Sequence, residues 1–204
     1  MAASASLLPS IARAQSAATE TIRIGAVFPA RNGLSRVLTS VNDYIGSAGR
    51  QGSLLAEQRI GELAAQDGID LKVLQANSPT PEAAVRAVER MIEVENIDAM
   101  VTGVGDGQLD AVASIIEQAG IPVFNIATPT DAYRQASCSR YLFHMEASDA
   151  MYLDAMVQWS AAQGHSKWFI VREDSDRGAA MQDRAVKAIA KYGFRVTEHE
   201  VESD

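Results

Sequence analysis

The sequence predicts an α/β protein with a doubly wound parallel sheet. Short β-branched or apolar segments alternate with longer segments of helical periodicity from residue 21 to residue 127, and the alternation resumes after residue 147. Several of the helical segments are bounded by a capping residue or by glycine. This alternation is typical of parallel strands joined by crossover helices, which cover both faces of one sheet.

The first part of the pattern predicts four strands and three helices. In chain order, the strands are TIRIGAVF (21–28), IDLKVLQAN (69–77), IDAMVTGVG (97–105) and IPVFNIA (121–127). The first helix, LLAEQRIGELAAQDG, follows a long stretch that contains Gly, Ser and Asn, and Gly68 ends it. The second and third helices are predicted over PEAAVRAVERMIEVEN and DGQLDAVASIIEQAG.

Local signals predict the ends and the buried faces of the second and third helices. Thr80 suits the N-cap of the second helix, Pro81 suits its first position, and Gly120 ends the third helix. The apolar positions at helical spacing are Ala84, Val88, Met91 and Ile92 in the second helix and Leu109, Val112, Ala113 and Ile116 in the third.

A second unit is predicted after the irregular segment 128–147. Ser148 can cap the helix DAMYLDAMVQWSAAQG, and the strand SKWFIVRE, the helix DRGAAMQDRAVKAIAKYG and the strand FRVTEHEV follow. The apolar stripes of the two helices are Tyr152, Ala155, Met156 and Trp159, and Met181, Ala185, Ile189 and Tyr192. Two strands and two helices make an unfinished unit. If the chain ends at Asp204, we expect uncovered apolar side chains there, with poor solubility or dimerisation and weak solute binding as the result.

The composition excludes several classes of partner. The 204-residue chain has a net charge of −8 and a pI of about 4.9, whereas a nucleic-acid surface needs clustered Lys and Arg. No stretch approaches the roughly 18 uninterrupted apolar residues of a membrane helix, so direct membrane insertion is not expected. Cys138 is the only cysteine, and no HExxH or CxxC spacing occurs, so neither an internal disulfide nor a metal site is expected.

The first twenty residues differ from the rest of the chain. MAASASLLPSIARAQSAATE is rich in Ala and Ser and has no acidic residue before Glu20. Ala12-Arg13-Ala14 has the small-x-small pattern of a signal-peptide cleavage site, although a basic region at the start is missing. We interpret residues 1–20 as the remnant of a signal peptide, with a disordered extension as the alternative.

Three predicted loops converge at the carboxyl edge of the sheet, where doubly wound proteins bind ligands. A common strand order, 2-1-3-4, reverses between strands one and three, and the loops there are PARNGLS (29–35), GVGDGQ (103–108) and ATPT (127–130). Gly107 and Gln108 begin a helix whose free N–H groups suit a carboxylate or phosphate. Thr128 and Thr130 can supply hydroxyl groups. The alternative is that Asp106 caps this helix and that the glycines only form the turn.

The sequence contains no motif of a cofactor site or a catalytic site. GAVFPARNG after the first strand does not have the GxGxxG spacing, GVGDGQ lacks the Lys-Ser/Thr of a phosphate loop, and no GxSxG occurs. Cys138 and His144 form only a loose pair, and Asp174 and Asp176 are typical of a helix start. No cofactor and no catalytic residue are therefore predicted, and a Rossmann-type enzyme is the least favoured class.

Four segments, in this order, resemble the periplasmic substrate-binding proteins of branched-chain amino acid (Leu/Ile/Val-type) ABC transporters. They are IRIGAVFP, AMVTGVGDGQLDAVASIIEQAGIPVFNIATPT, YLFHMEASDAMYLDAMVQW and KWFIVREDSDRGAAMQDRAVKAIAKYGFRV. The resemblance covers residues 21–204 and implies the type I periplasmic-binding fold. It implies lobe one over residues 21–140, a hinge crossing over 141–145 and the first part of lobe two over 146–204. It also implies that the second lobe is incomplete.

The resemblance implies a function and a set of ligand contacts. The chain would be the periplasmic solute-binding component of an ABC transporter. It would capture a small polar solute, an amino acid or a related carboxylate, and present it to a membrane permease. Gln108 stands where a ligand-binding serine is usual, and Ala127 and Thr128 match the family's Ala-Thr pair. Arg177 stands where a tyrosine before glycine is common, and it would suit an acidic or oxygen-rich ligand. A ligand-sensing domain of a receptor or regulator with the same fold is the alternative.

A further likeness concerns the region around Cys138. It resembles a subgroup of these proteins that is associated with quinoprotein alcohol dehydrogenase systems. The residues that carry this likeness are Asp131, Arg134, Cys138, His144, Ser148, Met151 and Gln158.

Overall fold

The computed structural model describes residues 20–30 and 41–202. Its elements are strand β1 (Glu20–Pro29), helix α1 (Val41–Ala64), β2 (Ile69–Ser78), α2 (Pro81–Glu93), β3 (Ala99–Thr102), α3 (Asp106–Ala119), β4 (Val123–Asn125), β5 (Leu142–His144), α4 (Asp149–Ala162), β6 (Lys167–Glu173), α5 (Asp176–Lys191) and β7 (Arg195–Glu202). Short 3-10 helices span Ala65–Asp67 and Asp131–Arg134. The expectations for residues 1–20, apart from Glu20, and for residues 31–35 lie outside the described residues.

The first five strands form one parallel sheet in the order β2-β1-β3-β4-β5. β1 lies between β2 and β3, so the strand order changes direction at β1. Ile24 of β1 aligns with Val73 of β2 on one side and with Ala99 of β3 on the other. The predicted α/β class, the doubly wound sheet and the strand order 2-1-3-4 are confirmed.

The sheet has five strands instead of the expected four, because the irregular segment contains β5. This strand pairs with β4, where Val123 aligns with Leu142 and Asn125 aligns with His144. It has only three residues, which is too short for a period-2 pattern to reveal. The residues of β5 fall within 141–145, where the hinge crossing was expected.

Helix α1 begins at Val41, whereas the sequence pattern placed its start at Leu54. The glycines that suggested a loop are helical residues that pack closely on the end of β1. A Cβ atom on Gly49 would lie 2.4 Å from the Phe28 ring, and one on Gly46 would lie 2.3 Å from the carbonyl oxygen of Pro29. These positions are glycine because the helix touches the strand there, and not because the chain turns.

The main core lies between the sheet and helices α2 and α3, and α1 packs on the opposite face of the sheet. The cap of α2 is as predicted, since the Thr80 hydroxyl accepts a hydrogen bond from the N–H of Ala83 at 3.2 Å. The predicted apolar faces are buried at Ala84, Val88, Met91, Leu109, Val112 and Ile116, with Ile92 packed against them. The prediction for Ala113 is wrong, because this residue is exposed.

Strands β6 and β7 form a separate two-stranded parallel sheet. Its small core contains Val157 of α4 and Ala188 and Ile189 of α5, and Trp168 and Ile170 pack against them. The stripe predicted to be the apolar face of α4 is not the buried face, since Tyr152, Met156 and Trp159 are 49–64% exposed. Phe169 and Val171 of β6 are exposed as well.

Candidate functional site

The candidate site lies at the carboxyl edge of the five-stranded sheet, where the strand order reverses between β1 and β3. Pro29, Thr102 and Asn125 end three neighbouring strands at this edge, so the loops that follow β3 and β4 lie side by side. The N–H of Gly103 donates to the carbonyl of Val27 at 2.9 Å and thereby continues the pairing of β3 with β1 into the loop. Ligands of this sheet type bind at such an edge.

The start of α3 is held by Gln108. Its Oε1 accepts from the N–H of Gly105 at 3.3 Å, and its Nε2 donates to the carbonyl and to the hydroxyl of Ser78 at 2.6 and 3.0 Å. Gln108 therefore ties the helix start to the end of β2, and its role as a ligand contact stays a prediction. The amides of Asp106 and Gly107 occupy the first two helical positions, whose N–H groups have no intrahelical acceptor. The exposed Gly107 thus faces outward from the helix end.

The same helix end carries its own negative charge. The Asp106 carboxylate lies in the first turn, where it interacts favourably with the positive end of the helix. The Thr130 hydroxyl donates to Asp106 Oδ2 at 2.6 Å. Nearby, the Tyr133 hydroxyl lies 2.7 Å from Asp110 Oδ1, and burial together with this carboxylate raises the pKa of Tyr133, so that its hydroxyl stays protonated and donates.

The loop after β4 is shaped by the buried amide of Asn125, which the sequence analysis missed. Its Oδ1 accepts from the N–H groups of Ala127 and Thr128 at 3.1 and 3.0 Å, and its Nδ2 donates to the carbonyl of Thr128 at 2.8 Å. The Thr128 hydroxyl donates to the carbonyl of Val104 at 2.8 Å, and the residue is only 2% exposed. These groups of Ala127 and Thr128 are therefore engaged within the protein, and their contact with a ligand stays a prediction.

His144 supports Asn125 from β5. Its Nδ1 lies 3.0 Å from Asn125 Nδ2, and since an amide nitrogen can only donate, Nδ1 accepts and the ring proton is on Nε2. Nε2 lies 3.3 Å from the carbonyl of Tyr133, which it can reach as a donor. Burial and the positive charge of Arg134 lower the pKa of His144, in agreement with a neutral ring.

The start of α4, in the second unit, is bound to the loop after β4. The Ser148 hydroxyl caps the helix by accepting from the N–H of Met151 at 3.3 Å. The N–H of Asp149 donates to the carbonyl of Pro129 at 2.8 Å, and the N–H of Ala150 lies 3.2 Å from the nearer carboxylate oxygen of Asp131. The loop that borders the site therefore also anchors a helix of the second unit.

Arg177, at the start of α5, pairs with Asp149, the residue whose N–H is bound to Pro129 in the loop after β4. Its Nε and Nη2 donate to the two carboxylate oxygens of Asp149 at 3.3 and 3.0 Å. These hydrogen bonds are the main cause of the raised pKa of Arg177, and the charges of Asp106 and Glu173 act in the same direction. Asp149, like Asn125, was missed because only the fold reveals its partner.

Two other features of the described residues bear on the site. An apolar cavity of about 530 Å³ lies between α1 and the sheet, lined by residues such as Phe28, Ile60 and Val101, and it offers few polar groups to orient a polar solute. Residues 20–30 and 41–202 contain no group of three or more His, Cys, Asp or Glu that could hold a metal ion. Within the same ranges, no helix has the length and apolar character needed to cross a membrane.

The parallel sheet with its reversal between β1 and β3, followed by a second α/β unit, defines the type I periplasmic-binding fold. The sequence model of the periplasmic binding protein family matches residues 22–203. The chain belongs to this family.

Solved structures with the same fold are similar over most of this chain. A branched-chain amino acid ABC transporter periplasmic ligand-binding protein from Burkholderia xenovorans LB400 is 19% identical, with a TM-score of 0.75 over 89% of this chain and 46% of its own. An ABC transporter substrate-binding protein from Desulfitobacterium hafniense, in complex with Leu, is 20% identical, with a TM-score of 0.73 over 90% of this chain and 51% of its own.

A third solved structure has a different bound molecule. It is a solute binding protein of an ABC transporter from Rhodopseudomonas palustris BisB5 in complex with 3,4-dihydroxy benzoic acid, 17% identical, with a TM-score of 0.69 over 89% of this chain and 47% of its own. The chain spans about half the length of these solved relatives. No match was found among curated proteins.

Proposed function

We propose that the chain belongs to the periplasmic solute-binding component of an ABC transporter, which binds a small polar solute and presents it to a membrane permease without chemical change. The observation that supports this most directly is the attachment of the second unit to the loop after β4: the N–H of Asp149, the residue that pairs with Arg177, donates to the carbonyl of Pro129. Solutes bound between two units can be enclosed when the units rotate towards each other.

The division into lobes belongs to this proposal. Lobe one comprises residues 21–140, the hinge crossing 141–145, and the first part of lobe two residues 146–204. The proposed solute contacts are Gly107, Gln108, Ala127, Thr128 and Arg177. Among them, the amide of Gly107 and the guanidinium of Arg177 would supply the polar groups that bind the solute. The names of the similar proteins, one of which was solved with Leu and another with 3,4-dihydroxy benzoic acid, favour an amino acid or a related carboxylate as the solute class.

A thermal-shift screen of the full-length protein tests the proposal. The panel contains amino acids, amides, small carboxylates and alcohols at millimolar concentration, and a solute that binds the folded state raises Tm. The variant Arg177→Gln should reduce the shift of any solute found. Its matched control is Arg184→Gln on the same helix, because Arg184 pairs with Asp154 away from the edge. Flat shifts across the whole panel would contradict the proposal.

The likeness to the quinoprotein-associated subgroup stays a prediction. In the fold its residues separate into two sets. Asp131, Arg134, His144 and Ser148 hold the loop after β4 and the start of α4, whereas Cys138, Met151 and Gln158 are exposed. A gene for a quinoprotein dehydrogenase beside the gene for this chain would support the subgroup, and its absence across related genomes would contradict it.

A further inference from the structure

The contact between Arg177 and Asp149 leaves part of the guanidinium available. A guanidinium has two edges that can each bind an oxygen pair, and Asp149 occupies the edge formed by Nε and Nη2. The end formed by Nη1 and the second hydrogen of Nη2 remains. The side chain of Arg177 is 44% exposed, whereas that of Asp149 is only 11% exposed. Asp149 thus holds one edge of the guanidinium and directs the other away from itself.

Asp149 is well suited to act as a fixed support. Its backbone N–H is bound to the carbonyl of Pro129, so the residue is attached to the loop that borders the site. It also lies in the first turn of α4, at the positive end of that helix. A support that is buried and anchored orients Arg177 before any solute arrives, which reduces the entropy lost on binding.

The same contact cancels the charge of Arg177. Asp149 neutralises the guanidinium directly, and Asp106 and Glu173 add two further negative charges that act on it. A solute carboxylate that approached the remaining edge would therefore meet an excess of negative charge. A neutral oxygen would accept the same N–H groups without that repulsion.

We infer that Asp149 is a positioning and specificity-determining residue of the proposed site, and that it makes Arg177 select a neutral oxygen of the solute, from an amide, carbonyl or hydroxyl group, over a carboxylate. This inference rests on the proposed function and refines its solute class at one point of contact. A solute with a carboxylate would place that group elsewhere in the cleft, for example near the amide of Gly107.

Two probes of nearly equal shape test this selection: propionamide, which is neutral, and propionate, which is charged. Each is titrated into the full-length protein while the side-chain N–H signal of Arg177, identified by its loss in Arg177→Lys, is followed by NMR. We expect propionamide to bind the wild type more tightly than propionate. In Asp149→Asn the affinity for propionate should rise by about tenfold, while that for propionamide changes by less than about threefold.

Two further variants make the result specific. Asp154→Asn is the matched control, since it removes one carboxylate from the same helix, and that carboxylate pairs with Arg184 and Lys191 instead. It should leave both affinities unchanged. Asp106→Asn should raise the affinity for propionate by less than Asp149→Asn does, because Asp106 acts on Arg177 only through space. This second variant keeps the test decisive if Asp149→Asn does not fold.

Three results would overturn the inference. The first is a wild type that binds propionate as tightly as propionamide, the second is a propionate affinity that does not change in either variant, and the third is an Arg177 signal that responds to neither probe. If the thermal-shift screen finds a solute while the NMR signal of Arg177 does not change with either probe, the inference fails and the proposed function stands. A flat screen would contradict the proposed function itself.

Discussion

Replacing Asn125 with alanine should destabilise the first unit strongly, because one buried amide satisfies four groups. The change removes the acceptor of the Ala127 and Thr128 N–H groups, the donor to the Thr128 carbonyl and the donor to His144 Nδ1. Thr128 is fully buried, so water cannot replace its two lost partners, whereas Ala127 and His144 are partly accessible.

The magnitude follows from these four contacts. A buried polar group without a partner costs about 1–3 kcal/mol, so the two groups of Thr128 alone account for about 2–6 kcal/mol. The total stability of a domain is about 5–15 kcal/mol. We therefore expect Asn125→Ala to lower the free energy of unfolding by about 4 kcal/mol and Tm by about 10 °C.

Urea denaturation of the wild type and the variant measures this loss. The control is Asn77→Ala, which removes an exposed side-chain hydrogen bond with Arg50 and should change stability by less than about 0.5 kcal/mol. Asn125→Asp adds a second readout. Its carboxylate can still accept from the loop amides but would favour a protonated His144, so the pKa of His144 should rise in the NMR titration. A loss below about 1 kcal/mol in Asn125→Ala would refute the reasoning.

Two further predictions concern α1 and His144. Gly49→Ala should destabilise the protein, because the new Cβ would lie 2.4 Å from the Phe28 ring, whereas Gly52→Ala, with no atom within 4 Å, should stabilise it by about 0.5–1 kcal/mol in urea denaturation; equal effects would contradict the packing of α1. Folded His144 has a pKa below its ordinary value of 6.5, so the unfolded chain binds its proton more readily. Stability should therefore be complete above about pH 6.5 and fall as the pH drops towards the folded pKa. His144→Gln should flatten this slope in urea midpoints measured between about pH 7.5 and 5, while the exposed His165→Gln should leave it unchanged.

The elements that the sequence predicted well are those whose signals are local. Thr80 and Pro81 mark the start of α2 through contacts within a single turn, so their pattern is sufficient. The prediction for the start of α1 was wrong because the deciding contacts are not local. Gly46 and Gly49 resemble loop residues in the sequence, and only the position of β1 explains why a helix needs them.

The sequence predicted where the candidate site lies, but not which side chains contact one another there. Gly107 lies at the expected edge, because the parallel topology and the start of α3 follow from the alternation of elements. Arg177 was implied by the family resemblance alone, and its contact with a ligand stays a prediction. The partners that define their chemistry are distant in the chain: Asp149 is 28 residues from Arg177, and Asn125 meets His144 across 19 residues. No periodicity or local motif connects residues at such separations.

The hydrogen bonds that attach the start of α4 to Pro129 and Asp131 fix this end of the helix to the loop after β4, so that any tilt of the helix pivots there. The helix has 14 residues. At 1.5 Å per residue, it is roughly 21 Å long. A tilt of about 5° at this pivot would therefore carry its far end through roughly 2 Å, and that end leads directly into β6. Small adjustments of the loop after β4 would in this way be magnified into movements of the second sheet.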